Sequence, residues 1–146
     1  MEVREARKDE WPVCAEIYVR AGRAAFTWAE PELFRESNII AWAEEGETLY
    51  LAIDGGRPVG MMSLWRPDDF VHNLFVDIGA QGRGVGAALL QFAFAIAKGP
   101  VTLKCDAFNA RALRFYARHG MIEAQYGSRE VGGPYVLLRQ APTPKR

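Results

Sequence analysis

One stretch limits what this chain can fold into more than any other. It is Phe70 to Lys98, F-V-H-N-L-F-V-D-I-G-A-Q-G-R-G-V-G-A-A-L-L-Q-F-A-F-A-I-A-K. Phe70 to Val76 is apolar and β-prone. Gly79 to Gly86 holds four glycines. Ala87 to Lys98 is apolar nearly all round, as a buried helix is, with Gln91 the one polar break before Lys98. A strand, a glycine loop and a buried helix in that order build an anion site. Loop glycines let the backbone approach a ligand and adopt positive φ. The first N–H groups of the helix have no partner inside it, and the helix dipole favours negative charge there. Phosphate is the usual occupant.

The flanking chain sets the context of that loop. Met1 to Ala6 alternates and predicts a first strand. Asp9 is placed to cap a helix with Pro12 in its first turn, a stripe of Val13, Ile17 and Ala21, and a stop near Gly22. Phe26-Thr27-Trp28 forms an aromatic connector. Pro31 opens a second predicted helix with Leu33, Phe34, Ile40 and Trp42 on its apolar side. Thr48 to Ile53 and Val59 to Trp65 form a hairpin around Asp54-Gly55-Gly56. Pro67-Asp68-Asp69 turns the chain back into Phe70–Val76, which completes an antiparallel meander. Gly99-Pro100 stops the helix after the glycine loop. Val101 to Ala107 then forms a strand parallel to Phe70–Val76, reached by a crossover. Asn109 caps a helix from Ala110 to His119, ended by Gly120. Met121–Tyr126 and Tyr135–Arg139 are the last strands, around a Gly127–Pro134 loop.

The expected fold is therefore α/β with a mixed sheet: mostly antiparallel, one parallel crossover, about four helices. With 146 residues the chain suits one domain over 1–140, with a loose tail over 141–146. Basic and acidic residues balance at 18 each, so no nucleic-acid or membrane partner is expected. The first ten residues are charged and lack a signal-peptide core. Cys14 and Cys105 form no framework. These features point to a reducing, cytoplasmic home. His72 and His119 are the only histidines and no His/Cys cluster accompanies them, so no metal site is expected.

Three phosphate-binding patterns compete for the loop. The P-loop needs G-K-[ST], and Gly86 is followed by Ala87-Ala88, so it fails. The dinucleotide fingerprint G-x-G-x-x-G/A is met by Gly82, Gly84 and Ala87, with Asp106 about 20 residues on. The pattern Q/R-x-x-G-x-G/A is met by Gln81, Gly84 and Gly86. Element order decides between the last two. A dinucleotide fold repeats strand–helix units with parallel strands, whereas here the loop follows an antiparallel meander and too little chain remains for a second half.

The third pattern resembles the acetyl-CoA loop of the GNAT superfamily of N-acetyltransferases. A second segment supports it. Asn109 to Met121 resembles the family's N-x-x-A-x-x-F-Y-x-x-x-G-F, with Met121 in place of the final Phe. The two motifs span Leu74 to Met121, about a third of the chain.

The resemblance implies acetyl-CoA as co-substrate and direct attack of an amine on the thioester in a ternary complex. It implies a pyrophosphate cradle at Gln81, Gly82, Arg83, Gly84, Val85 and Gly86. It implies backbone partners for the pantetheine arm at Leu74, Phe75 and Val76. Asn109 becomes a cofactor contact as well as a cap. Tyr116 becomes the acid that protonates the departing thiolate, unless it is a core aromatic. Gln81 often stands as Arg in the family, and Arg83, Arg111 or Arg114 could supply the missing charge. A base must take the proton of the attacking ammonium. His72 is a candidate, expected by period-2 alternation to share a face with Leu74 and Val76. Its alternative is an ordinary strand histidine. Asp68, Asp69 and Glu30 are further candidates. Phe26, Trp28, Phe34, Trp42 and Trp65 suggest an acceptor pocket with apolar walls. The acceptor stays open between a small amine, an amino acid and a peptide or protein amine, and the acyl group between acetyl and larger. Oligomeric state is open between monomer and homodimer. The alternatives to catalysis are a silent CoA-binding module of the same fold and a dinucleotide-dependent oxidoreductase.

Overall fold

A computed structural model describes residues 1–142. Seven strands form one sheet in the order β1-β2-β3-β4-β5-β7-β6. They are β1 (Glu2–Glu5), β2 (Thr48–Asp54), β3 (Arg57–Trp65), β4 (Phe70–Val76), β5 (Thr102–Asp106), β6 (Met121–Arg129) and β7 (Gly133–Gln140). The helices are α1 (Trp11–Ala25), α2 (Glu36–Glu44), α3 (Val85–Ile96) and α4 (Ala110–Arg118). Only β4 and β5 run parallel, joined through α3; every other neighbouring pair is antiparallel. A doubly wound dinucleotide fold needs a mostly parallel sheet, so this topology removes that reading of the loop. Among the described residues no helix is long and apolar enough to cross a membrane.

Alternation along the strands builds two cores, one on each face. Leu49, Leu51 and Met61 face α1 and α2, where Cys14, Ile17, Tyr18 and Ile39 complete the packing. Tyr50, Met62, Leu64, Leu103, Cys105 and Val136 face the other way, onto Val85, Leu89, Leu90 and Ala93 of α3 and the apolar side of α4. Gly60 lets α3 sit close: a Cβ there would lie 2.8 Å from Val85 Cγ1 and 3.1 Å from Leu89 Cδ1.

Several expected boundaries move, each for a packing reason. Asp9 does not cap α1. The chain makes a 3-10 turn over Lys8–Glu10, and the Glu10 carboxylate is fixed by the fork of Arg4 at 2.7 and 2.8 Å and by the Arg7 N–H at 2.9 Å. Gly22 does not stop α1 either. It is buried within the helix, because the ring of Phe34 occupies the place a Cβ would take. Pro31 opens a 3-10 turn rather than the helix, and α2 starts at Glu36. Arg23 holds that turn by donating to the carbonyls of Pro31 and Phe34, both at 3.0 Å. Ile39 and Ala43 form the buried face of α2; Ile40 and Trp42 are half-buried, and Leu33 lies outside the helix and exposed. The last hairpin is longer than expected. β6 and β7 continue to Arg129 and from Gly133, with Gly127 opposite Tyr135, whose ring fills the space a Gly127 side chain would need. Ala141 is not loose: its N–H donates to the Gly120 carbonyl at 2.8 Å. The rest of the expected tail, 143–146, lies outside the described residues.

Candidate active site

The site starts with a defect in β4. Ser63 pairs with Asn73 and Leu64 with Val71, so His72 is an extra residue without an opposite partner on β3. Such a bulge bends a strand and reverses the sense of its alternation. Val71, Leu74 and Val76 therefore pack with the α3 side, whereas Phe75 packs with the α1 side. The pairing with β5 ends at the same place. β4 meets β5 only at Phe70↔Thr102 and Val71↔Leu103, and β5 then pairs along its length with β7. Leu74, Phe75 and Val76 remain bonded to β3 and have no β5 partner. A gap with a free backbone edge opens between two neighbouring parallel strands.

His72 does not share a face with Leu74 and Val76. The bulge turns it toward α2, with its ring centroid 4.4 Å from that of Trp42. Its Nδ1 meets both carboxylate oxygens of Glu47, at 2.9 and 3.0 Å. Glu47 went unnoticed in the sequence because nothing local joins positions 25 residues apart.

The glycine loop lies at the open end of the gap. Asp77 accepts from the Ile78 N–H at 3.0 Å and is gripped by Arg20 of α1, Nε at 3.2 Å and Nη2 at 2.9 Å. The Arg20 guanidinium holds the Asp77 carboxyl below the ordinary carboxylate range. Gly84 is the N-cap residue of α3, left-handed at φ 80°, and offers no side chain to the first-turn amides. Gly82 is left-handed too, at φ 81°. A Cβ at either would meet nothing within 4 Å, so the loop surrounds open space. Uncapped amides around such a concavity fit a diphosphate. Gly86 serves differently. It lies inside α3, where a Cβ would stand 3.3 Å from Phe115 Cζ and 3.6 Å from Val76 Cγ2, so it is needed for packing on α4. Gln81 and Arg83 are exposed, as are Arg111 and Arg114 on α4. Among the described residues none of these three arginines joins an ion pair.

α4, which follows β5, carries the two remaining polar candidates. Asn109 caps the helix, its Oδ1 accepting from the Ala112 N–H at 3.1 Å. That leaves its Nδ2 as a donor without a partner among the described residues. The ring of Tyr116 packs edge-on to Phe115 at 5.2 Å and against the core that contains Cys105. Burial, and then the neighbouring Cys105, push the phenol above its ordinary pKa. Tyr116 thus keeps its proton at neutral pH, as an acid must. The Cys105 thiol is itself pushed up to about 12 by burial, so it is no thiolate nucleophile. Of the other base candidates, Asp69 is spent on structure: its Oδ2 accepts from the N–H groups of Lys98 and Gly99 at 3.2 and 3.0 Å. Asp68 sits in an exposed 3-10 turn, and Glu30 lies on the α1–α2 connector. The aromatics divide as well. Phe26, Phe34 and Phe75 form one cluster with Tyr18, which Trp28 joins edge-on at Phe26 and Trp42 edge-on at Tyr18; Trp42 also lies tilted against His72, and Trp65 is on the surface.

Comparison with known proteins agrees with this fold. The model of the acetyltransferase (GNAT) family matches residues 2–121. The peptidyl-lysine N-acetyltransferase YjaB of Salmonella typhimurium is 32% identical over 92 residues, which is 62% of this chain and 61% of that protein. YjaB of Escherichia coli is 26% identical over 144 residues, 97% of this chain and 96% of its own length. The solution structure of apo YjaB from Escherichia coli superposes with a TM-score of 0.77 at 21% identity, covering 97% of this chain and 98% of that one. YncA of Salmonella typhimurium, solved with its cofactor acetyl-CoA, superposes with a TM-score of 0.71 at 21% identity, covering 100% and 96%. This chain therefore belongs to the acetyltransferase (GNAT) family: it is an N-acetyltransferase, and acetyl-CoA is the family's acetyl donor.

Proposed function

We propose that the chain transfers the acetyl group of acetyl-CoA to a lysine amine of a peptide or protein, by direct attack within a ternary complex. The observation that carries this is the opening of β4 away from β5, which leaves the backbone edge of Leu74–Val76 without a strand partner, next to the glycine loop that starts α3. The lysine acceptor is carried over from the printed function of the YjaB relatives.

Bound acetyl-CoA supplies an activated thioester. The residues do the rest. Uncapped amides of Gly82 to Ala87 hold the diphosphate, with exposed Arg83 in the loop and exposed Arg111 and Arg114 on α4 to add charge. Backbone groups of Leu74–Val76 align the pantetheine arm as an added strand would, and one N–H there steadies negative charge on the acetyl oxygen. Asn109 Nδ2 donates to the arm. Tyr116 gives its proton to the leaving sulfur. His72, its Nδ1 held by Glu47, has Nε2 left to take the proton of the ammonium, directly or through water. No covalent acyl-enzyme is required.

Steady-state kinetics with acetyl-CoA and lysine peptides tests this. Tyr116→Phe keeps the ring and removes only the hydroxyl. It is expected to lower kcat on the order of 10²-fold, with the acetyl-CoA KM little changed. Full activity in this variant would return Tyr116 to a packing role. Thermal stabilisation by CoA with no transfer to any amine would instead identify a silent CoA-binding module.

A further inference from the structure

Four of the large apolar side chains exposed among the described residues border one cavity: Trp28, Leu33, Phe108 and Val131. Phe108 is 66% exposed and Val131 63%, high for side chains of their size. The cavity measures about 450 Å³ and is walled by the α1–α2 connector, the end of β5 and the β6–β7 turn. The cavity's Asp106 ends β5, the strand that bounds the gap, and Phe108 directly precedes Asn109, proposed above as a cofactor contact. Its two carboxylates differ. Asp106 is engaged by Arg129 at 2.8 Å and by Trp28 Nε1 at 3.4 Å. Glu30 joins no ion pair among the described residues. Asp106 thereby ties the connector to the hairpin, and Glu30 is the carboxylate available to a cation.

Taking this cavity as the acceptor end of the site, we propose that it selects a lysine flanked by bulky apolar residues in an extended peptide. The proposal rests on the acetyl-transfer reading above and specifies its substrate. Glu30 meets the lysine ammonium by charge complementarity. Trp28, Leu33, Phe108 and Val131 shed water only against an apolar partner, which a polyamine or a glycine-flanked lysine does not provide. A free amino acid fits worse. Its carboxylate needs a cation, no Lys or Arg among the described residues lines the cavity, and Arg129, which reaches its edge through Asp106, is bound by that carboxylate and lies 4.8 Å over the ring of Tyr135.

Three acceptors test this with acetyl-CoA: a capped Gly-Leu-Lys-Phe-Gly peptide, a capped Gly-Gly-Lys-Gly-Gly peptide and free lysine. In the wild-type protein the apolar peptide is expected to exceed the glycine peptide about tenfold in kcat/KM, the discrimination a few apolar contacts provide. Phe108→Ala should bring the two within about twofold of each other, since the large exposed contact is gone. Glu30→Gln should raise the KM of both peptides and leave their ratio intact. Calorimetric titration of each peptide into the CoA-bound protein reads the same preference without turnover. Absence of acetyl transfer would count against the reaction, whereas equal binding of the two peptides would overturn the subsite. So would faster acetylation of free lysine, or an unchanged ratio in Phe108→Ala.

Discussion

Three residues have separable roles in the proposed reaction. Tyr116, partly buried against the core, has its phenol pushed above its ordinary pKa; Asp106 ties Trp28 to Arg129; His72 packs on Trp42 of α2 with Glu47 on its Nδ1. Asp106→Ala releases both Trp28 and Arg129, so the peptide KM should rise several-fold while the acetyl-CoA KM stays put. Equal damage to both constants would mean that Asp106 supports the fold and not the cavity. His72→Ala removes the proton acceptor, so the loss of kcat/KM should be greater at pH 6.5 than at pH 9, where more of the amine is already free. Glu47→Gln should shift the profile in the same direction by less. A pH–rate profile parallel to wild type would make His72 structural. Neither pair, His72–Glu47 nor Asp106–Arg129, was legible in the sequence. Each joins positions 20 or more residues apart, and no local pattern encodes that.

At the scale of elements, two local devices build the site, the bulge in β4 and the uncapped start of α3. The glycine loop was legible because its chemistry is contiguous: consecutive residues must supply both the turn and the amides. Gly84→Val places a β-branched residue at φ 80° and should raise the acetyl-CoA KM while the protein still folds. Unchanged affinity in the folded variant would reduce the loop to a turn. Gly86→Val should act through stability instead, by pushing on Phe115. The bulge could not be seen. Its signal is one residue more on β4 than on β3, and strict alternation put His72 on the wrong face. The start of α1 shows the same limit, since the Arg4–Glu10 pair replaces the expected Asp9 cap. That pair carries a pH dependence. The hydrogen bonds from Arg4 lower the Glu10 pKa from 4.5 to about 2. A folded-state value below the unfolded one stabilises above the unfolded pKa, so this contribution is complete at neutral pH and lost as pH falls from 4.5 toward 2. Arg4→Gln should lower Tm at pH 7, with the difference from wild type shrinking across that window. A difference independent of pH would show that Arg4 acts only by packing.

For the molecule as a whole, the sheet both builds the core and opens the site. Order and type of elements were legible from periodicity, because both faces of the sheet are covered and each strand and helix declares its buried side. Helix ends at Gly22 and Pro31 were misplaced because tertiary contacts with Phe34 and Arg23 overrode local stop and start signals. The gap itself follows from β4 and β5 parting beyond Val71 and Leu103 while β7 stays paired along the other edge of β5, an arrangement no single segment reveals. The central claim is that acetyl-CoA lies along the free edge of β4 with its diphosphate on the first turn of α3. Amide hydrogen exchange, with and without CoA, tests it most directly. Slowed exchange is expected at Leu74–Val76 and at Gly82–Ala87, with β1 and the β2–β3 turn unaffected. Saturating CoA that leaves both segments exchanging at their free rates would contradict it.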